Sequence, residues 1–137
     1  MIPQDKLSYI DFERYHIVHD SRGIIWISTY GNGLFAYDTA EDKLEHFLAN
    51  INDKSHIASD FLLYVMEDRS GGIWVSSEYS GLSHISVLNE GTSRIYPESP
   101  DLFDRSNTIR MLTKTSDGDI WFGTRRGGLY TLSLIHI

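Results

Sequence analysis

Apolar residues along this chain come in short runs that return at a fixed interval, each bracketed by glycine and polar residues. The runs IIWIS, GIWVS and DIWFG carry Trp26, Trp74 and Trp121, which are 48 and then 47 residues apart. A glycine stands three positions before each tryptophan (Gly23, Gly71, Gly118), and a Gly-Leu pair begins seven positions after it (Gly33-Leu34, Gly81-Leu82, Gly128-Leu129). Helical periodicity is absent, and glycine at this frequency opposes a helix. The repeating unit is therefore a turn, an apolar strand, a polar corner and a second strand. A period in the forties made of short strands predicts propeller blades of about four strands each.

The second unit shows the expected blade in full. Leu62 to Glu67 (LLYVME) is a first strand, and Asp68-Arg69-Ser70-Gly71-Gly72 a tight turn in which the Asp side chain bonds nearby backbone and glycine supplies positive φ. Ile73 to Ser77 is the second strand, Glu78-Tyr79-Ser80 a corner, and Gly81 to Val87 the third strand. Asn89-Glu90-Gly91 makes a hairpin, and Ser93 to Tyr96 is a fourth strand ended by Pro97. Tyr15 to His19 and Ile109 to Lys114 correspond to the first strand, Ile24 to Tyr30 and Ile120 to Thr124 to the second. The second strands are apolar at consecutive positions instead of alternating, which requires both faces of the sheet to be dry. Blades stacked side by side around an axis meet that requirement; a sandwich with one wetted face does not. The repeated residues have structural readings: Asp20 and Asp68 form turns, the three tryptophans fill space between blades with each indole N–H bonded to a backbone group or hydroxyl, and Gly33, Gly81 and Gly128 serve backbone conformation or close packing.

The expectation is an all-β chain, a partial β-propeller with about two complete four-stranded blades plus parts of a third. The repeats run approximately over 11–58, 59–106 and 107–133, and residues 134–137 (LIHI) read as a non-native tail because the sequence lacks turn chemistry there. Blades at the two ends should expose apolar faces, so the partners implied are the remaining blades of a longer parent chain, with self-association when this piece stands alone.

Charge and composition narrow the function. The net charge is −7, with 12 basic and 19 acidic residues, and the basic residues are scattered apart from Arg125-Arg126, which argues against nucleic acid as a partner. The sequence has no cysteine for disulfides or thiolate chemistry. No apolar run reaches membrane-spanning length, so no membrane contact is expected from this segment, and the opening MIPQDKLSYIDFERYH is not a secretory signal. The closest pair of histidines, His16 and His19, is three apart on a strand and points to opposite faces, a poor metal site. No nucleophile elbow or zinc-helix motif is present, and GTRRGGL leads into a strand, where it makes a poor phosphate cradle. No cofactor, no metal and no enzymatic activity are expected.

The strings DSRGIIWIST…GL and DRSGGIWVSS…GL, with SDGDIWFGT…GGL in the third unit, resemble the two-component regulator propeller repeat. In the third unit Thr115 replaces the first acid. The resemblance implies a sensor ectodomain on the periplasmic, extracytoplasmic side, with a histidine kinase or other output outside this sequence, and oligosaccharides as a ligand class. Alternatives are a propeller lyase resembling the streptogramin lyases, with His84 as base, and a protein-interaction scaffold.

Strand alternation assigns loops to faces. The corner between strands two and three and the connection to the next blade open on one face, while the Asp/Gly turns and outer hairpins open on the other. The corner residues vary between units: Tyr30, Gly31 and Asn32 in the first; Glu78, Tyr79 and Ser80 in the second; Arg125, Arg126 and Gly127 in the third. Tyr30, Asn32, Glu78, Tyr79, Arg125 and Arg126 are thus the candidate ligand-binding rim, the tyrosines stacking on sugar C–H faces and the arginines pairing with a carboxylate such as a uronic acid presents.

Overall fold

A computed structural model of the chain describes residues 15–50, 52–86, 91–95, 105–125 and 127–132. Arg126, His136, the hairpin expected at Asn89 and Glu90, and the tail at 134–137 lie outside the described residues. The strands form three antiparallel sheets in simple sequential order. The first blade contains β1 (Tyr15–His19), β2 (Ile24–Thr29), β3 (Leu34–Asp38) and β4 (Lys43–Phe47). The second contains β5 (Leu62–Glu67), β6 (Ile73–Ser77), β7 (Leu82–Ser86) and β8 (Gly91–Ile95), and the third contains β9 (Ile109–Lys114), β10 (Ile120–Thr124) and β11 (Leu129–Leu132). The fold is a partial β-propeller. The fourth strand of the second blade starts at Gly91, two residues earlier than the sequence suggested, because Ser86 pairs with Gly91 and draws it into the ladder. A 3-10 turn, Arg105–Asn107, precedes β9.

Alternation along each second strand decides which neighbour a side chain meets. In β6, Ile73 and Val75 join Val65 and Ile85 in a dry seam against Trp26, Leu34 and Ala36 of the first blade. Trp74, from the opposite face of the same strand, joins Met66 and Leu82 in a second seam against Ile109, Leu112, Ile120 and Phe122 of the third. The residue before each tryptophan thus looks back one blade and the tryptophan looks forward one. This explains the unbroken apolar runs, since a two-residue side-chain period exposes both faces of a strand to a hydrophobic environment.

The same rule makes the third tryptophan differ from the other two. Trp26 and Trp74 are 4% and 0% exposed, whereas Trp121 is 37% exposed. Its registry is unchanged: Trp26 pairs with Val18 and Ala36, Trp74 with Met66 and His84, and Trp121 with Thr113 and Thr131. What changes is the neighbour. The forward-facing leucines behave alike, with Leu34 and Leu82 fully buried and Leu129 70% exposed. At the opposite end of the array Ile17, whose counterparts Val65 and Leu112 are buried, is exposed.

The acids of the repeat do more than shape turns. Asp20 accepts the backbone N–H groups of Arg22 and Ile24 at 2.8 and 2.9 Å, and its other oxygen accepts the Trp26 indole N–H at 2.8 Å. Asp68 repeats this with Ser70 and Gly72 N–H at 2.8 and 2.9 Å and the Trp74 indole at 2.7 Å. The indole partner is therefore a buried carboxylate, in place of the backbone or hydroxyl group expected from the sequence. Thr115 takes only the turn-forming half of the role: its Oγ1 accepts Asp119 N–H at 3.2 Å, and its backbone closes the same turn. Gly72 is fixed by close approach, since a Cβ there would lie 2.3 Å from His84 Nε2 and 2.7 Å from the Asp68 carboxylate.

Burial alone would raise the Asp68 carboxyl. The His84 imidazole 3.3 Å away, together with hydrogen bonds from Ser70, Trp74 and Gly72, outweighs it and holds the group well below its ordinary 3.8. Asp20 is lowered against the same opposing burial, by Trp26, Ile24 and Arg22. Both folded-state values lie below the unfolded one, so their stabilisation is complete above about pH 4 and is lost as pH falls below 3.8, where the unfolded chain takes up the proton first. Replacing Asp68 by Ala is expected to cost about 1–3 kcal/mol in urea unfolding at pH 7, leaving an indole N–H and two turn amides without their acceptor, and to flatten the acid dependence. An Asp68→Ala chain that melts like the parent at both pH 7 and pH 3 would contradict this. Sedimentation velocity should also show concentration-dependent association of the chain, reduced by Leu129→Lys on the uncovered face. A concentration-independent monomer before substitution would count against it.

Candidate functional site

Two ends of the blades carry different kinds of contact. At the Asp/Gly turns the bonds tie one blade to the next: Ser21 N–H donates to Glu67 Oε1 at 3.0 Å, Arg22 donates to the Gly71 carbonyl at 2.7 Å, and Lys114 Nζ donates to the Glu67 carbonyl at 2.9 Å. This face is engaged in holding the array together.

The opposite face is built from the corners. In each corner a hydroxyl residue closes the loop onto the following glycine, as Thr29 N–H donates to Gly33 O at 3.1 Å, Ser77 N–H to Gly81 O at 3.0 Å and Thr124 N–H to Gly128 O at 2.9 Å. Gly33 has φ +74°, and a Cβ there would sit 2.3 Å from the Phe47 carbonyl oxygen, so this corner admits no side chain at that point. With the ends fixed, each corner turns some of its residues toward solvent: Gly31 and Arg125 are exposed, and Tyr30, Asn32 and Tyr79 half-buried.

The corners join the starts of the first strands in one hydrogen-bonded arc. Gly31 and Gly33 N–H donate to Asp60 O at 2.9 and 3.1 Å, and Tyr30 bridges Phe61. Phe61 O accepts Glu78 N–H at 3.0 Å, the Thr108 hydroxyl donates to Glu78 O, and Thr108 O accepts Arg125 N–H at 3.0 Å. Tyr30, Glu78, Tyr79 and Arg125 therefore lie along a single rim, as strand alternation required. The Tyr30 and Phe61 rings meet edge to face, with centroids 5.2 Å apart. The Arg105 guanidinium lies over the Tyr79 ring at 5.4 Å. This stacking leaves a planar cation beside an aromatic surface.

Individual candidates fare differently. Tyr30 and Tyr79 are half-buried and Arg125 is exposed. Glu78 has its side chain buried, at 7% exposure, so the second corner presents Tyr79 outward and uses Glu78 through its backbone. Asn32 contributes backbone: its N–H donates to Thr29 Oγ1 at 3.1 Å and its carbonyl lies 2.7 Å from His46 Nε2. Arg126 is outside the described residues. Phe61 and Arg105 were not singled out from the sequence. Phe61 lies one residue before a strand and reads there as core, yet it is exposed on the rim. Arg105 lies within a connection whose backbone gives no periodic signal.

His84 belongs to neither face. Its ring packs on Trp74 with centroids 4.3 Å apart and its Nε2 lies 3.3 Å from Asp68 Oδ2, between the blades. His16 stacks on Tyr64 at 3.9 Å, and its Nδ1 accepts Val65 N–H at 3.4 Å.

Residues 105–126, the third blade from its 3-10 turn to its corner, match the family model described as the two-component regulator propeller. Residues 105–126 thus carry the two-component regulator propeller repeat. Among solved structures, it is similar to the extracellular domain of the putative hybrid two component system BT3049 from B. thetaiotaomicron, with TM-score 0.70 and 21% identity over 87% of this chain and 16% of that one. The extracellular domain of BT4673 from the same organism gives TM-score 0.68 and 20% identity over 86% of this chain and 16% of that one. PorZ of Porphyromonas gingivalis, a bacterial surface component of the type-IX secretion system, gives TM-score 0.60 and 16% identity over 86% of this chain and 19% of that one. At these identities the likeness is one of fold. The chain spans about one sixth of the length of the first two. No curated protein matches the chain.

Proposed function

We propose that this chain is part of the extracytoplasmic sensor region of a two-component regulatory protein and binds a ligand without transforming it. The observation that carries the reading is the rim: packing positions shared by the repeats are absorbed in the seams, while the positions that differ between corners are linked into one arc. That arc presents Tyr30, Phe61 and Tyr79 with Arg105 and Arg125 beside them. Aromatic faces beside forked cations suit an oligosaccharide that carries carboxylates, the rings stacking on sugar C–H faces and the guanidinium groups pairing with the acid. The remaining blades complete the propeller, and the kinase or other output belongs to the parent protein.

The binding reading is favoured over a lyase by His84. The base such an enzyme would need is wedged beneath Trp74, with a side chain 12% exposed and turned to Asp68, away from the rim.

Titration calorimetry of the full ectodomain with neutral and uronic-acid-containing oligosaccharides tests the proposal. Tyr79→Ala is expected to weaken binding of both kinds roughly tenfold or more, and Arg105→Ala with Arg125→Ala to remove the preference for the acidic ones. Equal affinity for every ligand before and after these changes would refute the rim.

A further inference from the structure

In the connection between the first two blades, the backbone carbonyls of Asn50, Asp53, His56 and Ile57 turn onto one side chain. Arg94 of β8 reaches them with Nη2 at 2.7 Å from Asn50 O, 2.7 Å from Asp53 O, 2.8 Å from His56 O and 3.3 Å from Ile57 O, and with Nε at 3.1 Å from His56 O. One Nη2 carries two hydrogens and cannot make four directed bonds. Four carbonyl dipoles converging on one nitrogen are instead the arrangement by which backbone holds a cation, as in carbonyl-lined ion sites.

We propose that the carbonyls of Asn50, Asp53, His56 and Ile57 form a cation cage whose resident cation is the Arg94 guanidinium, and that positive charge at this point, more than packing of the arginine stem, holds these residues in their rim-facing conformation. Without the charge the carbonyl oxygens repel one another and have no common partner. The flanks do not depend on it: Ala49 N–H donates to Asp60 Oδ1 at 2.7 Å, and Ala58 N–H to Ser83 Oγ at 3.3 Å. Asp53 N–H donates to Asn50 O at 3.1 Å, His56 N–H to Asp53 O at 3.0 Å and Asn50 N–H to Ile57 O at 3.3 Å, so three of the cage carbonyls are shared between a backbone amide and the guanidinium. The Asn50 and Asp53 side chains accept the N–H groups of Asn52 and Ser55 at 3.1 and 3.0 Å, which shapes the turns and leaves the convergence of the carbonyls to Arg94. The side chains of Asn52, Lys54, Ser55 and His56 are exposed outside it. Arg94 is thus a positioning residue that orders a solvent-facing loop in advance of any ligand, and the inference holds whatever the rim binds.

Amide hydrogen exchange of the whole chain, read on the peptide covering 49–58 and referenced to β6, tests the inference. Arg94→Met, which keeps an apolar stem, and Arg94→Ala should both speed exchange at Asp53 and His56 by roughly tenfold or more, the loss of a single charge-assisted bond being enough for that. Arg94→Lys should retain most of the protection, and millimolar guanidinium added to the Arg94→Ala chain should restore it, with β6 unchanged. Protection in Arg94→Met equal to that in the parent would overturn the proposal by showing that packing suffices. Failure of both lysine and free guanidinium to protect the loop would overturn it as well.

Discussion

Every sheet in this molecule is too small to be dry by itself, and the constraint that organises the rest is that each must have a like sheet on either side. Four strands of about five residues offer two apolar faces and almost no interior. The sequence answers with consecutive apolar residues in each second strand, so that Ile73 and Val75 close one seam while Trp74 closes the next. Stability is consequently a property of neighbours. The position of a blade in the array governs the exposure of its tryptophan, which is why identical registry gives a buried Trp74 and a half-open Trp121.

The Asp–Trp hydrogen bond is what makes such a seam specific as well as dry. An indole placed between sheets has one polar atom to satisfy, and the carboxylate that closes the preceding turn meets it six residues upstream in the first two blades. One acid thus sets the turn, orients the ring and fixes which way it faces. In the third blade Thr115 keeps the turn and gives up the carboxylate, at the blade whose forward face is least enclosed. With packing concentrated in the seams and inter-blade clasps at the Asp/Gly turns, the corner face is released to vary, and it is there that the aromatic and arginine side chains accumulate.

Much of this was legible from the sequence because the repeat is written in residues with strong local meaning. The Trp spacing, the Asp and Gly at fixed offsets and the unbroken apolar runs identified blade architecture, the strands LLYVME and IWVSS to the residue, and the face on which the corners open. What escaped depends on contacts far apart along the chain. The carboxylate partner of the indole needs the turn and the strand brought together in space. Phe61 looks like a core residue by type, and only the bridge to Tyr30 puts it on the rim. Glu78 looks like a solvated corner residue and is buried, its N–H bonded to Phe61 O and its carbonyl accepting the Thr108 hydroxyl from the next blade. Arg94 has no local signature, since its four carbonyl partners lie roughly forty residues earlier.

Lateral stacking is tested most directly by the accessibility of the three indoles one at a time. Chains retaining a single tryptophan, with Phe at the other two positions, can be measured by acrylamide quenching at concentrations where the chain is monomeric. The account predicts that Trp26 and Trp74 are shielded and emit in the blue, that Trp121 is quenched readily, and that Trp121 becomes shielded when a further blade of the proposed parent propeller is appended. Equal quenching of all three, or a Trp121 that stays open with the next blade in place, would contradict it.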